Sequence, residues 1–472
     1  DYQEKMIAGT RRALKVHRQV VLQAPTGAGK MVVGGYMLDK SAARGTRSFF
    51  MVHRRALIKQ VARTLDQVGV DFGFIANGFP YQPYKDVTLC SVATLAARLD
   101  KIDPPEFLVV DECHHAPSAS YQKIIDRFGD ILTVGLTATP QRLDGRGLDK
   151  SFKALVPGPS VKWLIEEGYL SNYRAWSHDP DIDGVAKRGG DFATDQLEHA
   201  MDKPHLVGDI VKHYLDIAPY DQAIVFCVSI KHALHVAEEF KRAGVVCEEL
   251  DGTASDQRQD DVLEAFKQRR IQVLTSVDLF GEGLDIANVR VVIMARPTAS
   301  LSLYIQQAGR ALRPLYKPGM PLDTKEQRLD AIKQGGKPYA IILDHAGNIS
   351  RHQPPHAERE WTLEGVRKKT KVALPPVKMC PFCFASVGAA TTICPHCNYQ
   401  FEVQSRQVLE VEGSLKEIDL SAEKEQQKRE VWEAKDLKAL QEIQRKRGYR
   451  RGWAEHVWKA RQKKDAAKKK EG

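Results

Sequence analysis

A phosphate-binding loop is predicted where a glycine-rich turn joins an apolar run to a helical segment. The turn is Ala24-Pro25-Thr26-Gly27-Ala28-Gly29-Lys30, between an apolar run at 20–24 and a helix-like run at 30–43. Glycines let backbone N–H groups converge on phosphate oxygens, and the helix N-terminus adds partial positive charge. Lys30 would reach the β- and γ-phosphates of a bound nucleotide. The predicted nucleoside triphosphate contacts are Thr26, Gly27, Ala28, Gly29, Lys30 and Met31.

One position in this loop departs from the usual pattern. The residue after the lysine is normally Ser or Thr, whose hydroxyl binds Mg²⁺, but here it is Met31. A thioether is a poor ligand for a hard cation. Three interpretations stay open: a weakened ATPase that holds Mg²⁺ through the next motif and water, a nucleotide binder with poor hydrolysis, or an introduced or erroneous residue. Because the other elements of a nucleotide-hydrolysing site are present, the sequence favours an ATPase ancestry.

Two adjacent carboxylates follow a second apolar run. Residues 107–110 are Phe-Leu-Val-Val, and Asp111 and Glu112 come directly after them. At the C-terminal edge of a parallel strand such side chains face the ligand crevice. We expect Asp111 to hold Mg²⁺ and Glu112 to orient and deprotonate the attacking water. The alternative is an acidic helix cap.

Two histidines, His114 and His115, come shortly after the acidic pair. Adjacent histidines at a strand end do not make a zinc site, so we expect His114 to couple the nucleotide site to a second site instead.

A pair of arginines in the second half of the chain could act on the same nucleotide. Arg310 and Arg313 are three residues apart on one predicted helix, so both side chains would face one way. A planar, permanently charged guanidinium suits the charge that develops on a γ-phosphoryl group. The alternative is a helix face paired with Asp or Glu.

Four cysteines form two knuckles with the spacing of a metal site. These are Cys380-Pro381-Phe382-Cys383 and Cys394-Pro395-His396-Cys397. Four thiolates at this spacing fit tetrahedral Zn²⁺, and a short segment with little core would obtain its folding energy from the metal. Two redox-active pairs are the alternative. The remaining cysteines, Cys90, Cys113, Cys227 and Cys247, are expected to be buried in a reducing compartment.

The elements that must position these residues are strands buried on both faces and alternating with helices. Continuous apolar runs occur at 20–24, 48–52, 87–90, 107–110, 132–136, 223–228, 245–250, 271–275, 289–294 and 339–343. Helix-like segments occur at 30–43, 54–68, 257–268 and 301–312. Strand–helix alternation with continuous apolar strands predicts parallel sheets flanked by helices.

The run of strands breaks once, at two X-Pro turns and a polar, Gly-rich stretch, which predicts two α/β lobes. The predicted boundaries are a first lobe at 1–155, a hinge at 156–215, a second lobe at 216–350, a linker at 351–376, the cysteine module at 377–402 and a basic helical tail at 403–472.

Charge is concentrated at the end of the chain. The net charge of the 472 residues is +10, and residues 421–472 carry 17 Lys and Arg against 9 Asp and Glu, a difference of +8. The basic residues of the tail either bind phosphate or form a solvated helical face. Its aromatic residues either stack on bases or pack a helical bundle; they are Trp432, Tyr449, Trp453 and Trp458. No apolar run approaches the ~20 residues of a membrane span, and no signal peptide is visible. We therefore expect a cytoplasmic, nucleoid-associated protein, although Asp1 in place of Met leaves room for an upstream segment.

Taken together, residues 1 to about 345 resemble superfamily 2 helicases of the DEAD/DEAH-box kind. In the first lobe the resemblance is carried by Asp1-Tyr2-Gln3, the phosphate loop, the segment 51–55, the segment 91–95, the DEAH-like box at 111–114 and Thr137-Ala138-Thr139-Pro140. In the second lobe it is carried by 224–227, 251–253, Thr275, 281–285 and Gln306-Gln307-Ala308-Gly309-Arg310-Ala311-Leu312-Arg313. Such motors have two tandem RecA-like P-loop domains with a cleft between them. The arginines of the second domain reach the nucleotide bound to the first domain only when this cleft closes.

The resemblance also implies roles for individual residues. Gln3 would contact adenine, and Asp285 would contact the ribose or support the arginines. Thr137 and Thr139 would link hydrolysis to movement. His53, Arg54, Thr94 and Thr275 would contact the nucleic-acid backbone.

Two motor lobes, a Cys₄ zinc ribbon and a basic segment with Tyr449 and Trp453 are similar to RadD-type bacterial or phage DNA-repair helicases. This resemblance implies ATP, Mg²⁺ and Zn²⁺ as cofactors, DNA as partner and single-strand-binding protein as a further partner. The expected function is an ATP-dependent DNA helicase or translocase in repair, recombination or replication. The alternatives are a DNA-binding module impaired in hydrolysis and an RNA helicase; nucleic-acid-stimulated phosphate release separates the enzyme from the binding module.

Overall fold

Two parallel β-sheets form where the sequence has continuous apolar runs. A computed structural model of the chain describes residues 1–53, 55–116, 118–142, 144–178, 180, 182–277, 289–365, 377–380, 386–388, 391–401, 430–431, 433–434, 436–447 and 452–468. Residues 1–402 form one compact unit and residues 403–472 a second.

The first sheet has seven parallel strands. They are β1 (Gln19–Gln23), β2 (Ser48–Val52), β3 (Gly73–Ile75), β4 (Val87–Ser91), β5 (Phe107–Val110), β6 (Leu132–Thr137) and β7 (Ala154–Pro157). Their order across the sheet is β3-β4-β2-β5-β6-β1-β7. Strands β2, β4 and β5 are buried along their whole length, as expected for strands covered by helices on both faces. The helices of this lobe are α1 (Tyr2–Leu14), α2 (Lys30–Ala42), α3 (Arg55–Val68), α4 (Val92–Arg98) and α5 (Ala119–Phe128), with 3₁₀ turns at Leu99–Lys101 and Cys113–His115.

In the part of the chain that the structure describes, the second sheet has six parallel strands. They are β8 (Tyr173–Ser177), β11 (Ala223–Phe226), β12 (Cys247–Glu249), β13 (Val273–Ser276), β14 (Val291–Met294) and β15 (Ala340–Asp344), in the order β12-β13-β11-β14-β15-β8. A small antiparallel pair, β9 (Lys187–Arg188) and β10 (Asp191–Phe192), lies between β8 and β11 in the chain. The accompanying helices are α6 (Val161–Glu166), α7 (Thr194–Met201), α8 (Pro204–Ile217), α9 (Ile230–Arg242), α10 (Asp256–Lys267), α11 (Leu301–Ala311), α12 (Lys325–Gln334) and α13 (Asn348–His352). The predicted pair of α/β lobes is confirmed.

The segment at 156–215, predicted as a hinge, contributes elements to both lobes. Strand β7 extends to Pro157 and pairs with β1 of the first sheet. Strand β8 pairs in parallel with β15 as the edge of the second sheet, and α8 supplies Tyr214 to the core of that lobe. Because β8 is an edge strand with polar positions such as the exposed Arg174, it lacks the continuous apolar run by which the other strands were recognised.

The predicted linker at 351–376 is ordered in its first part. In residues 351–365, the carbonyl of Leu363 accepts hydrogen bonds of 2.6 Å from the amide of Leu148 and 3.1 Å from that of Asp149. The hydroxyl of Tyr173 lies 2.6 Å from Nδ1 of His356. This segment therefore contacts both lobes after leaving α13.

Two further features complete the described chain. Strands β16 (Val377–Met379) and β17 (Ser386–Gly388) form an antiparallel pair in the cysteine module. In the second unit, α14 (Leu437–Arg447) and α15 (Trp453–Lys468) bury Leu440 and Ala454, and Trp453 and Trp458 pack against them. These two tryptophans thus contribute to helix packing, whereas Trp432 and Tyr449 lie outside the described residues. Among the helices that the structure describes, none combines the length and the apolar composition needed to cross a bilayer.

Candidate active site

The phosphate loop has the backbone that its glycines allow. Gly27 and Gly29 adopt φ angles of 85° and 76°, in the left-handed region that strains other residues. Gly29 is the N-cap of α2, and no side chain caps this helix end. The amide groups of the first turn are therefore oriented for an anion, as the sequence predicts.

The ammonium group of Lys30 lies inside this loop. It donates hydrogen bonds of 3.0 Å to the carbonyl of Ala24 and 3.3 Å to that of Pro25. An ammonium has three hydrogens, so one donor remains for a phosphate oxygen. Burial lowers the pKa of Lys30, the carboxylates of Glu112 and Asp111 oppose this shift, and Arg310 and Arg313 lower the pKa further. Charged groups from both lobes therefore influence the pKa of Lys30.

Met31 lies in the first turn of α2 and offers no oxygen ligand. Its side chain is half-buried and packs against the apolar core shared by the two lobes. The structure thus gives the side chain a packing role at the position where a metal-binding hydroxyl is usual.

The acidic pair lies at the C-terminal end of β5. Asp111 and Glu112 are 7% and 9% exposed, and Glu112 adopts a left-handed backbone conformation with φ 45°. Such a conformation is uncommon for a residue with a side chain and is frequently found at functional sites. Burial raises the pKa of Asp111, the charge of Glu112 raises it further, and Lys30 lowers it. Two buried carboxylates beside a phosphate loop form an oxygen donor set that fits Mg²⁺, and Asp111 as its ligand stays a prediction.

Close polar contacts connect the acidic pair to the Thr-Ala-Thr segment. Nδ1 of His114 lies 3.3 Å from Oε2 of Glu112 and 3.2 Å from Oγ1 of Thr137. The Thr137 hydroxyl donates to the carbonyl of Thr139 at 3.0 Å and accepts from its amide at 3.1 Å. Because the single hydroxyl hydrogen of Thr137 is used in this way, Nδ1 of His114 is the donor toward Thr137. The structure therefore brings together the three residues for which a coupling role is predicted.

The arginine-bearing helix α11 packs directly on the phosphate loop. A Cβ atom added to Gly309 would lie 2.6 Å from Cβ of Thr26, and one added to Gly27 would lie 3.6 Å from Cγ of Arg313. Arg310 is only 6% exposed. The predicted opposition of the arginines and the loop across the cleft is thus present in the structure.

Arg313 lies outside the helix in which the sequence predicts it. Helix α11 ends at Ala311, so Arg313 follows the C-terminal cap. Its carbonyl accepts hydrogen bonds from Nζ of Lys337 at 2.7 Å and from the hydroxyl of Ser171 at 3.5 Å. Burial lowers the pKa of Arg313 to about 10. Contacts from distant residues, rather than helix periodicity, therefore fix this arginine.

Gln3 reaches the same loop from α1. Its side-chain amide occupies the space next to Gly29, and the neighbouring Tyr2 hydroxyl donates 3.1 Å to the carbonyl of Ala28. The Tyr2 ring packs edge-on against Tyr169 and Trp163 at centroid distances of 4.7 and 5.8 Å. An adenine contact by Gln3 stays a prediction, and the position of Gln3 beside the phosphate loop is compatible with it.

The residues predicted to contact nucleic acid are in different environments. His53 is exposed at the end of β2, whereas Arg54 and Asp285 lie outside the described residues. Thr94 accepts hydrogen bonds from the amide of Asn77 at 3.2 Å and the hydroxyl of Ser91 at 2.8 Å. The hydroxyl of Thr275 is buried and donates 2.9 Å to the carbonyl of Ala233. Contacts of Thr94 and Thr275 with a strand stay predictions, and Thr275 would first have to become accessible.

Three cysteines of the predicted zinc ribbon converge. The sulfur atoms of Cys380, Cys394 and Cys397 lie within 4.8 Å of one another, and those of Cys380 and Cys397 are 3.6 Å apart. Tetrahedral zinc with bonds of about 2.3 Å separates its sulfur ligands by roughly 3.8 Å, whereas a disulfide needs about 2.05 Å. The arrangement fits a metal, and Cys383, the predicted fourth ligand, lies outside the described residues.

Lys337 and Ser171 have contacts at this site that the sequence motifs do not predict, and so does His115, whose ring stacks on that of His53 with centroids 4.2 Å apart. The contacts of Lys337 and Ser171 with the carbonyl of Arg313 span 24 and 142 residues. Such contacts depend on the strand order, which local patterns do not specify.

Comparison with known proteins gives the family. Two protein-family models match the chain. The model described as "Type III restriction enzyme, res subunit" matches residues 1–142, and the model described as "Helicase conserved C-terminal domain" matches residues 203–314. A 51.5 kDa protein of a Lactococcus phage is 30% identical over 84% of this chain and 82% of its own length. The DNA 3'-5' translocase XPB2 of Sulfurisphaera tokodaii is 23% identical over 66% of this chain and 78% of its own length. The chain spans only 49% and 54% of two longer yeast proteins that are named as candidate ATP-dependent helicases.

A solved structure agrees with the fold. The fragment of an HsdR-like subunit of a type I restriction enzyme from Vibrio vulnificus superposes with a TM-score of 0.57 at 19% identity, covering 75% of this chain and 65% of the fragment. The two matched domains fall on the two lobes that meet at the phosphate loop, and relatives extend across both lobes. The chain therefore belongs to the superfamily 2 helicases.

Proposed function

We propose that this chain is a nucleic-acid-stimulated ATPase that moves along DNA as a helicase or translocase. The observation that carries the proposal is the packing of the second-lobe helix α11 on the first-lobe phosphate loop, Gly309 against Thr26. A nucleotide phosphate bound by Lys30 would lie between the lobes, so its hydrolysis would depend on their closure.

Each buried charged group then has a chemical task. Lys30 binds the β- and γ-phosphates with its remaining donor, and Glu112 orients and deprotonates the attacking water. Arg310 and Arg313 stabilise the charge that develops on the transferred phosphoryl group. Bound Mg²⁺, held by Asp111, would neutralise phosphate charge. Both lobes therefore contribute to one transition state.

The proposed substrate is DNA, in single-stranded or branched form. A formal net charge of +10 favours a polyanionic partner, and a relative spanning most of this chain is named as a DNA translocase. We further propose that the protein acts in repair, recombination or replication, as RadD-type helicases do. Its proposed location is the cytoplasm, at the nucleoid, and its proposed protein partner is single-strand-binding protein. RNA as substrate is the competing outcome of the test below.

The experiment is a titration of phosphate release with single-stranded DNA, forked DNA and RNA, using Glu112→Gln as the blank. We expect DNA to raise the rate at least ~10-fold, as is ordinary when a motor closes on its track, a change of ~1.4 kcal/mol in the barrier. Equal stimulation by RNA would contradict the choice of DNA, and a Glu112→Gln rate equal to wild type would contradict the catalytic assignment.

A second candidate, a DNA-binding module impaired in hydrolysis, is favoured by one observation. Met31 packs into the core where a metal-binding hydroxyl is usual. Met31→Thr, with Met31→Leu as a matched apolar control, separates the two. If Met31→Thr hydrolyses ATP and the wild-type chain does not, the binding module is the better description; equal rates would show that the hydroxyl is dispensable.

A further inference from the structure

Three imidazole rings form a continuous column beside the acidic pair. The rings of His53 and His115 are stacked, with centroids 4.2 Å apart and planes 15° apart. The rings of His115 and His114 follow at 4.3 Å and 39°. Buried Tyr121 lies stacked against His53 at 6.1 Å. We refer to His53, His115 and His114 as the imidazole column.

The column joins the protein surface to the proposed catalytic base. His53, at one end, is exposed after the C-terminal residue of β2. At the other end, His114 lies 3.3 Å from the carboxylate of Glu112 and 3.2 Å from the hydroxyl of Thr137. Neighbouring strands explain the geometry: β2 pairs with β5, so residues that follow the two strands meet at one edge of the sheet.

The contacts within the column limit independent movement. Two flat rings stacked near van der Waals distance cannot tilt separately without losing their contact. A displacement of His53 is therefore transmitted to His115, and from there to His114, which is already hydrogen-bonded at its far side. Small shifts can be amplified in this way because packed groups have few alternative arrangements.

We propose that His115 is a positioning residue that couples the binding of a nucleic-acid phosphate at His53 to the orientation of Glu112. The inference rests on the proposed function, because it names the route by which a DNA strand would stimulate hydrolysis. A contiguous set of contacts can carry such coupling, and the variants below test whether this one does.

The test compares His115→Ala, which opens the column, with His115→Phe, which keeps a flat ring. Phosphate release is measured with and without saturating single-stranded DNA, together with the KM for ATP and the Kd for DNA. We expect His115→Ala to lose about fivefold or more of the DNA stimulation, in the range of coupling between sites, with both affinities near wild type. His115→Phe should retain most of the stimulation. His199→Ala, at an exposed histidine of α7, is the matched control.

The outcomes separate this inference from the proposed function. A wild-type chain that DNA does not stimulate would contradict both. A stimulated wild type with an equally stimulated His115→Ala, or with a His115→Phe that is as defective as His115→Ala, would overturn the column alone. If His115→Ala does not fold, His115→Leu, which fills the space without a flat ring, takes its place. It should lose the DNA stimulation that His115→Phe retains, and equal stimulation of these two variants would overturn the coupling.

Discussion

Nζ of Lys337 lies 2.7 Å from the backbone carbonyl oxygen of Arg313 and donates a hydrogen bond to it. Lys337 is 1% exposed, so this bond lies in the interior of the second lobe. A buried amine in this position can hold Arg313 in register with the phosphate loop although the arginine lies beyond the end of α11.

Removing this bond should slow hydrolysis. Lys337→Met keeps the length of the side chain but cannot donate, so Arg313 loses one constraint. We expect kcat to fall by about tenfold, which corresponds to ~1.4 kcal/mol, within the range of an ordinary net hydrogen bond. The KM for ATP should change little. Steady-state phosphate release measures both constants, and an unchanged kcat would show that Lys337 does not position Arg313.

The same lysine should make stability depend on pH. Burial lowers the pKa of Lys337 to about 7, with further lowering by Arg313 and Arg290, whereas the unfolded chain keeps the ordinary value of 10.5. Between pH 7 and 10.5 the unfolded state binds more protons, so stability rises with pH in that window and is lost as pH falls toward 7.

Thermal unfolding midpoints from pH 7 to pH 9.5 test this expectation. The midpoint of Lys337→Met relative to wild type should be highest at pH 7 and should decline as pH rises. A constant difference across the range would contradict the shifted pKa.

A methyl group at the contact between the lobes should block closure. In Gly309→Ala the new Cβ would lie 2.6 Å from Cβ of Thr26, closer than such atoms approach in proteins. We expect kcat to fall at least ~10-fold, or ~1.4 kcal/mol, because the arginines no longer reach the nucleotide. Gly208→Ala is the matched control, since no atom lies within 4 Å of its added Cβ. If the two variants hydrolysed ATP at equal rates, hydrolysis would not require the close contact between Gly309 and Thr26.

The cysteine cluster should bind one zinc ion. Chain purified without chelator should contain zinc at about one ion per chain by atomic emission, as expected for a Cys₄ site. Cys380→Ser and Cys397→Ser should each lower the ratio, and so should Cys383→Ser if it is the fourth ligand. Cys247→Ser, in the second sheet, is the control. A ratio that these substitutions do not change would contradict the site.

Local patterns in the sequence were sufficient for most of the fold. Continuous apolar runs correspond to strands such as β2 and β5, because strands covered on both faces need apolar residues at every position. Strand β3 has only three residues and β8 is an edge strand with an exposed Arg174, so neither has that signal. The motif spacing likewise predicts the phosphate loop and the acidic pair.

Contacts between distant segments could not be predicted in the same way. His53 stacks on His115 only because β2 and β5 are neighbours in the sheet, and strand order is not a local property. The fixation of Arg313 by Lys337 depends on the loop that leads into β15. Helix periodicity alone placed Arg313 within α11, and the structure corrects this to a position beyond its C-terminal cap.

The variant Arg310→Gln asks whether both lobes act on one nucleotide. Phosphate release should be measured at saturating ATP and DNA, alongside the affinity for a non-hydrolysable ATP analogue. We expect a loss of about 10³-fold or more in turnover, the scale associated with an arginine that stabilises phosphoryl transfer, with nucleotide binding largely retained. Turnover close to wild type would contradict a site shared by both lobes, because it would show that the second lobe contributes no charge to the transition state.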